Sequence, residues 1–195
     1  MKGRYRLAIV LVLTLVGGIE VYLGWSGRYG ASSGRSPRTP SPGPMEYFPH
    51  LKPGDPAVAF EAQRLQGGTQ QIEYPAEGPS TYLFVLSLTC GTCAKTVPQW
   101  NRLARELEGR ARVFGIVLGS YQREQQLLEE KGLAFPVVRF PSRKVMEQYK
   151  ANKVPQTIVV APGGTVESNV MGELTDDDVD ELLSRASARG GELSS

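Results

Sequence analysis

The chain has little of what metal sites and disulfide frameworks are built from. Among 195 residues there are two cysteines and one histidine, too few nitrogen and sulfur donors for a closed four-ligand metal centre and too few cysteines for a stapled scaffold. His50 sits in a Pro-rich approach to the first structured segment and is expected to be a linker residue. Acids and bases nearly cancel, leaving a formal charge of +2 without a dense Lys/Arg stripe, so the phosphate backbone of a nucleic acid has no surface to bind. Gly163-Gly164 lacks the Lys-Ser/Thr and following helix of a phosphate loop, and no internal repeat is present. Apolar residues, at 41%, suffice for one ordinary domain.

Both cysteines fall within four residues, Cys90-Gly91-Thr92-Cys93, directly behind the apolar run of residues 81–87 and ahead of a helical pattern marked by Val97, Trp100, Leu103, Ala104 and Leu107. The run predicts a buried strand, and the cysteines therefore lie at a strand-to-helix turn. Unpaired amides and the positive end of a helix dipole favour a thiolate there, which marks Cys90 as the nucleophile and Cys93, one turn further in, as the resolving thiol. Thr89, Gly91 and Thr92 complete the turn. A static disulfide closing so short a loop gains little chain-entropy stabilisation, and half of a shared zinc or copper site would need ligands that the neighbourhood does not offer.

Lys2, Arg4 and Arg6 precede a charge-free stretch at residues 7–19, and apolar character resumes after Glu20 as far as Trp25. About 20 such residues span the hydrocarbon core, so residues 1–25 are expected to be a retained membrane anchor, with a cleaved signal peptide as the alternative. The basic start argues for a cytoplasmic N-terminus and an exported body. Residues 26–52, rich in Pro, Gly and Ser, form a tether. The domain proper is assigned to residues 53–187 and a disordered tail to 188–195.

Within the domain, strands are expected at residues 58–60 and 70–72 as an opening hairpin, then at 81–87, 113–118, 135–138, 158–161 and 166–171. Helices are expected at 94–107, 122–131, 142–150 and from a cap at Thr175-Asp176-Asp177-Asp178 through Leu183. A crossover combined with a terminal hairpin implies an α/β fold: a central mixed sheet with helices on both faces. Trp100 falls on the apolar stripe of the helix after the cysteines and is expected in the core or a groove wall. The three aspartates are explained by helix capping, not by a cation.

These elements resemble the thioredoxin-like superfamily and, within it, the membrane-tethered extracytoplasmic thiol-disulfide oxidoreductases of the TlpA and ResA kind. The resemblance covers residues 53–185 and rests on Gly54-Asp55-Pro56-Ala57 with Phe60, the Cys90 to Cys93 motif, Pro98 in the next helix, Phe135-Pro136-Val137-Val138, and Val154-Pro155-Gln156-Thr157. It implies a cis Pro155 beside the dithiol, a substrate-binding main chain at Val154, a kink at Pro98 and no cofactor. It also implies partners in the form of proteins carrying cysteine pairs, an integral-membrane redox partner, a position in the cytoplasmic membrane with the domain outside, and cytochrome c maturation as one use of the reducing power. The chain has no Cys-x-x-Cys-His haem motif of its own.

The departures are specific. A Trp-x-x-Trp-Cys approach is replaced by Ser87-Leu88-Thr89-Cys90, which is closer to the branch associated with methylamine dehydrogenase maturation. The positions of the superfamily's two helper acids hold Phe84 and Thr96, so no general base for Cys93 is assigned; water, the Thr89 or Thr96 hydroxyl, or a group from another loop would have to serve. The peroxidatic Pro-x-x-x-Thr/Ser-x-x-Cys pattern is absent. The rival to an enzyme is a non-catalytic thioredoxin-like module that recognises an exported polypeptide.

Overall fold

In a computed structural model of the chain, the described residues are 49–65 and 67–192, with the side chains of 189–192 left out. The anchor expected at residues 1–25 and nearly all of the tether lie outside them. Among the described residues, no helix is long and apolar enough to cross a membrane.

Seven strands form one sheet in the order β2-β1-β5-β4-β3-β6-β7. Its centre is β3 (Thr81–Leu86), buried at all six positions, as a strand covered on both faces must be. On one side β3 runs parallel to β4 (Arg112–Val117) over six residue pairs from Thr81↔Arg112 to Leu86↔Val117. On the other it is antiparallel to β6 (Gln156–Val160), with Val85 opposite Gln156. The hairpin of β6 with β7 (Val166–Met171) closes that edge.

The opposite edge carries β5 (Val137–Arg139), parallel to β4, and the hairpin of β1 (Phe60–Arg64) with β2 (Thr69–Ile72). The opening strand thus starts where the sequence predicts it to end. Phe60 and Ala62 point inward while Glu61, Gln63 and Arg64 face water, and this half-polar alternation contains too few apolar residues to stand out in the sequence. The packed domain also begins earlier than residue 53. Leu51 is 2% exposed among the core side chains, and its carbonyl accepts the Asn169 Nδ2 hydrogen at 3.1 Å.

Among the described residues, four helices cover the sheet. On one face lie α1 (Gly91–Glu106), α2 (Glu124–Lys131) and α4 (Asp176–Glu192). Their core is built on Phe84, which stacks on Trp100 at 5.4 Å and meets Phe135 edge-on at 5.0 Å. On the other face α3 (Arg143–Gln148) and the segment around Leu51 pack against Phe60, Phe140 and Tyr149. There the Tyr74 hydroxyl meets the Tyr149 hydroxyl at 2.6 Å, and Tyr149 donates to the Val58 carbonyl.

The cap expected at Thr175 is present: its hydroxyl accepts the Asp178 amide at 3.2 Å, and the Asp178 carboxylate accepts the Thr175 amide and hydroxyl in return. The helix that follows extends to Glu192, well past Leu183, so the backbone of residues 188–192 continues it and is not the tail expected there. Helix α1 is continuous through Pro98, which lies on its exposed side.

Candidate active site

All three parallel strands end at one edge of the sheet, and the dithiol sits there. After Leu86 the chain leaves β3, turns through Ser87 and enters α1 at Cys90. Leu88, 1% exposed, pins the turn to the core, while Thr89 on the next position faces solvent. The Cys90 amide donates to the Ser87 carbonyl at 3.2 Å, which tightens the turn.

Cys90 is the N-cap of α1. Its backbone is extended (φ −80°, ψ 119°), and its sulfur accepts the Cys93 amide at 3.1 Å. A serine or aspartate side chain ordinarily fills this role with oxygen; here sulfur does. Both cysteines are reduced. Cys90 is partly exposed, whereas Cys93 is 2% exposed beneath it. Burial pushes the Cys93 thiol up to about 12; the hydrogen bond and charge of Cys90 add to the rise, and the Ser87 amide beside it works the other way.

The two departures from the superfamily pattern leave no acid beside that buried thiol. Phe84, fully buried and flanked by two aromatic rings, stands where the superfamily resemblance places a helper acid and belongs to the same apolar cluster as Cys93. Thr96 is buried too, but its hydroxyl is engaged as a donor to the Thr92 carbonyl at 3.1 Å. Exposed Gly91 and Thr92 form the outer rim.

Val154-Pro155 reaches the same edge through the β3/β6 register. Because Val85 faces Gln156, Pro155 and Val154 lie just beyond the strand pair, alongside the turn that leads to Cys90. The Val154-Pro155 peptide is cis. Pro155 is buried and its carbonyl accepts the Gly172 amide at 2.9 Å; Val154 is half-buried against the same cluster as Cys90 and Cys93. Trp100 locks the two parts together. Fully buried as expected, it also donates its indole N–H to Thr157 Oγ1 at 2.9 Å, tying the dithiol helix to the strand that carries Pro155.

Sequence reasoning missed that tie and a second one. Tyr121, in the loop after β4, places its hydroxyl 2.8 Å from Ser87 Oγ, and Ser87 Oγ lies 3.3 Å from Thr89 Oγ1. The available signal was topological: in successive parallel strand-helix units, the loop after the second strand lies beside the loop after the first.

This sheet, with a capping cysteine at a strand-to-helix turn and a buried second thiol one turn below, defines a thioredoxin-like thiol-disulfide oxidoreductase. Residues 53–169 match the AhpC/TSA family, and the chain belongs to that family. It is 25% identical over 133 residues to the thiol-disulfide oxidoreductase ResA of Halalkalibacterium halodurans, covering 67% of this chain and 74% of that protein. Sporulation thiol-disulfide oxidoreductase A of Bacillus subtilis is 24% identical over 135 residues, 67% of this chain and 80% of the relative. In fold it is similar to a thiol:disulfide interchange protein DsbE from Chlorobium tepidum, with a TM-score of 0.60 at 20% identity over 71% of this chain and 97% of that one.

Proposed function

We propose that the protein exchanges disulfides with exported polypeptides while tethered to the outer side of the cytoplasmic membrane. The observation that carries the exchange chemistry is the asymmetry of the dithiol: an accessible sulfur that accepts a helix amide, above a buried thiol held protonated. Cys90 thiolate attacks a partner disulfide. A Cys90-to-partner bond forms, the partner's own S–S bond breaks, and the departing sulfur takes up a proton. Cys93 then loses its proton and attacks Cys90, which closes the Cys90-Cys93 disulfide and releases the partner reduced by two electrons.

The main chain of Val154, beside the dithiol and next to a Pro155 carbonyl already engaged by Gly172, is the surface proposed to align the partner strand. Tethering rests on the basic start and the apolar residues 7–25. An exported reductant would in turn draw electrons from an integral-membrane carrier. Cytochromes c, whose cysteine pairs must be reduced before maturation, are one such class of client, and the methylamine dehydrogenase system, where disulfides must form, would use the reverse direction.

The test is a pair of variants of the full chain in membranes. Cys93→Ser should accumulate mixed disulfides with client proteins through Cys90, and Cys90→Ser should not. Equal retention of partners by both variants would replace this reading with that of a binding module.

A further inference from the structure

Beside the redox turn, four residues at and just beyond the ends of β3 and β4 are joined by three hydrogen bonds into a ring that closes through the Leu86–Ser87 peptide. The Leu118 amide donates to the Leu86 carbonyl at 2.8 Å, the Tyr121 hydroxyl to the Leu118 carbonyl at 2.6 Å, and Ser87 Oγ meets the Tyr121 hydroxyl at 2.8 Å. Proton counting fixes the directions. A phenol has one hydrogen, and Tyr121 gives it to a carbonyl that can only accept, so the Ser87 hydroxyl donates to Tyr121. Ser87 then has only lone pairs left for Thr89, which must donate at 3.3 Å. The chain thus runs from Thr89 through Ser87 and Tyr121 to the Leu118 carbonyl. Since a carbonyl terminus cannot take up a proton, the chain acts as a strut and not as a proton relay.

The loop that carries Tyr121 is held for this purpose. Arg139 of β5 donates from Nε to the Gly119 carbonyl at 3.1 Å and pairs with Glu124 at the start of α2. Gly119 has φ +87°, and a Cβ there would stand 3.2 Å from the Tyr121 hydroxyl, so a side chain at this position is both strained and pressed against the strut.

We propose that Tyr121 is a positioning residue for the resolving step: by holding Ser87 it fixes the backbone between β3 and α1 over Cys93. Ser87 is the joint, because its hydroxyl is held by Tyr121 while its carbonyl accepts the Cys90 amide at 3.2 Å and so closes the turn that sets Cys90 over Cys93. Freed of the strut, the turn loosens and the Cys90 sulfur loses its alignment with Cys93, which the attack within the pair needs and a small external disulfide does not. Cys90, capped by the Cys93 amide of its own helix, keeps its partner.

The inference rests on the exchange reaction proposed above, and the experiment separates the two. The reduced protein is mixed with oxidised glutathione, and two rates are followed: glutathionylation of Cys90, then release of glutathione as Cys93 closes the disulfide. In Tyr121→Phe and in Ser87→Ala, the first rate should stay within about twofold and the second should fall about tenfold, the loss expected of a misaligned attack within the pair. The double variant should be no slower than either single one, and Ser87→Thr should recover the rate. A Tyr121→Phe protein that resolves as fast as wild type, or a double variant whose losses multiply, overturns the strut. Wild-type protein that never reacts with glutathione overturns the exchange reaction itself and the strut with it.

Discussion

The units β3–α1 and β4–α2 are built on the same plan, a parallel strand feeding a helix from one edge of the sheet, yet only the first carries the dithiol. Strand β3 is buried throughout, a short turn pinned by Leu88 follows, and α1 runs 16 residues with Cys93, Thr96, Val97, Trp100 and Leu103 buried. Strand β4 is fully buried only in its last three residues. Its loop opens into α2, eight residues long with none fully buried, and Arg123 at the head of that helix adopts a left-handed backbone with no side-chain cap. A nucleophile needs a helix end that stays in place, and only the core under α1 supplies it. The second unit contributes sideways, through Tyr121.

The largest expected contrast is in activity. Cys90→Ser replaces the capping sulfur by the oxygen usual at an N-cap, so α1 keeps its start while the nucleophile is lost. Thiol-disulfide exchange should disappear, with a thermal midpoint at or slightly above that of wild type. A collapse in stability would mean that the sulfur is needed for packing as well.

Stability should separate the units next. Trp100→Ala removes a fully buried ring stacked on Phe84 and the indole link to Thr157, and should cost about 3–5 kcal/mol. Leu128→Ala, at a half-buried position on α2, should cost under about 1.5 kcal/mol. Urea unfolding of the two variants compares them directly, and equal losses would abolish the distinction.

Alkali offers a third contrast, with a defined sign. The Cys93 thiol is raised by burial to about 12 from an ordinary value of 9.0, so between these limits the folded state holds a proton that the unfolded chain has released. Stability from this group is complete below about pH 9 and declines as pH rises toward 12. Tyr74, also raised by burial to about 12, and Tyr149, raised further, add to the decline from the opposite face. Cys93→Ala should therefore flatten only part of the loss, seen as a higher urea midpoint relative to wild type at pH 10 than at pH 8. For the same reason, release of a mixed disulfide in the wild-type protein should quicken close to tenfold per pH unit from pH 7 to 9.

The smallest effect belongs to the head of α2. Arg123 has φ 57°, a conformation costly for any side chain, so Arg123→Gly should stabilise by up to about 1 kcal/mol in denaturant melts. A loss would show that the arginine side chain contributes more than its backbone strain.

Much of the site was legible in advance. An apolar run, two cysteines and a helical stripe in direct succession depend on local pattern alone, and they put Cys90 at a helix start and Cys93 beneath it. The terminal hairpin and the cap at Thr175 were legible for the same reason, since turn and capping residues act over three or four positions. Polar strand β1, the burial of Leu51 and the length of α4 were not, because each depends on what the segment packs against and not on its own periodicity.

The sequence by itself determined that this is an α/β protein with a dithiol at a strand-to-helix junction, because hydrophobic period and the spacing of two cysteines are properties of neighbours along the chain. Only the tertiary structure decided how the two thiols differ and what holds them. Phe84 and Trp100 stack in the cluster that holds Cys93, Thr157 reaches Trp100 across 57 residues, and Tyr121 reaches Ser87 across 34. Such pairs are chosen by the register of strands that meet side by side, and a hydroxyl far away in sequence shows no sign of its partner until the sheet brings them within 3 Å.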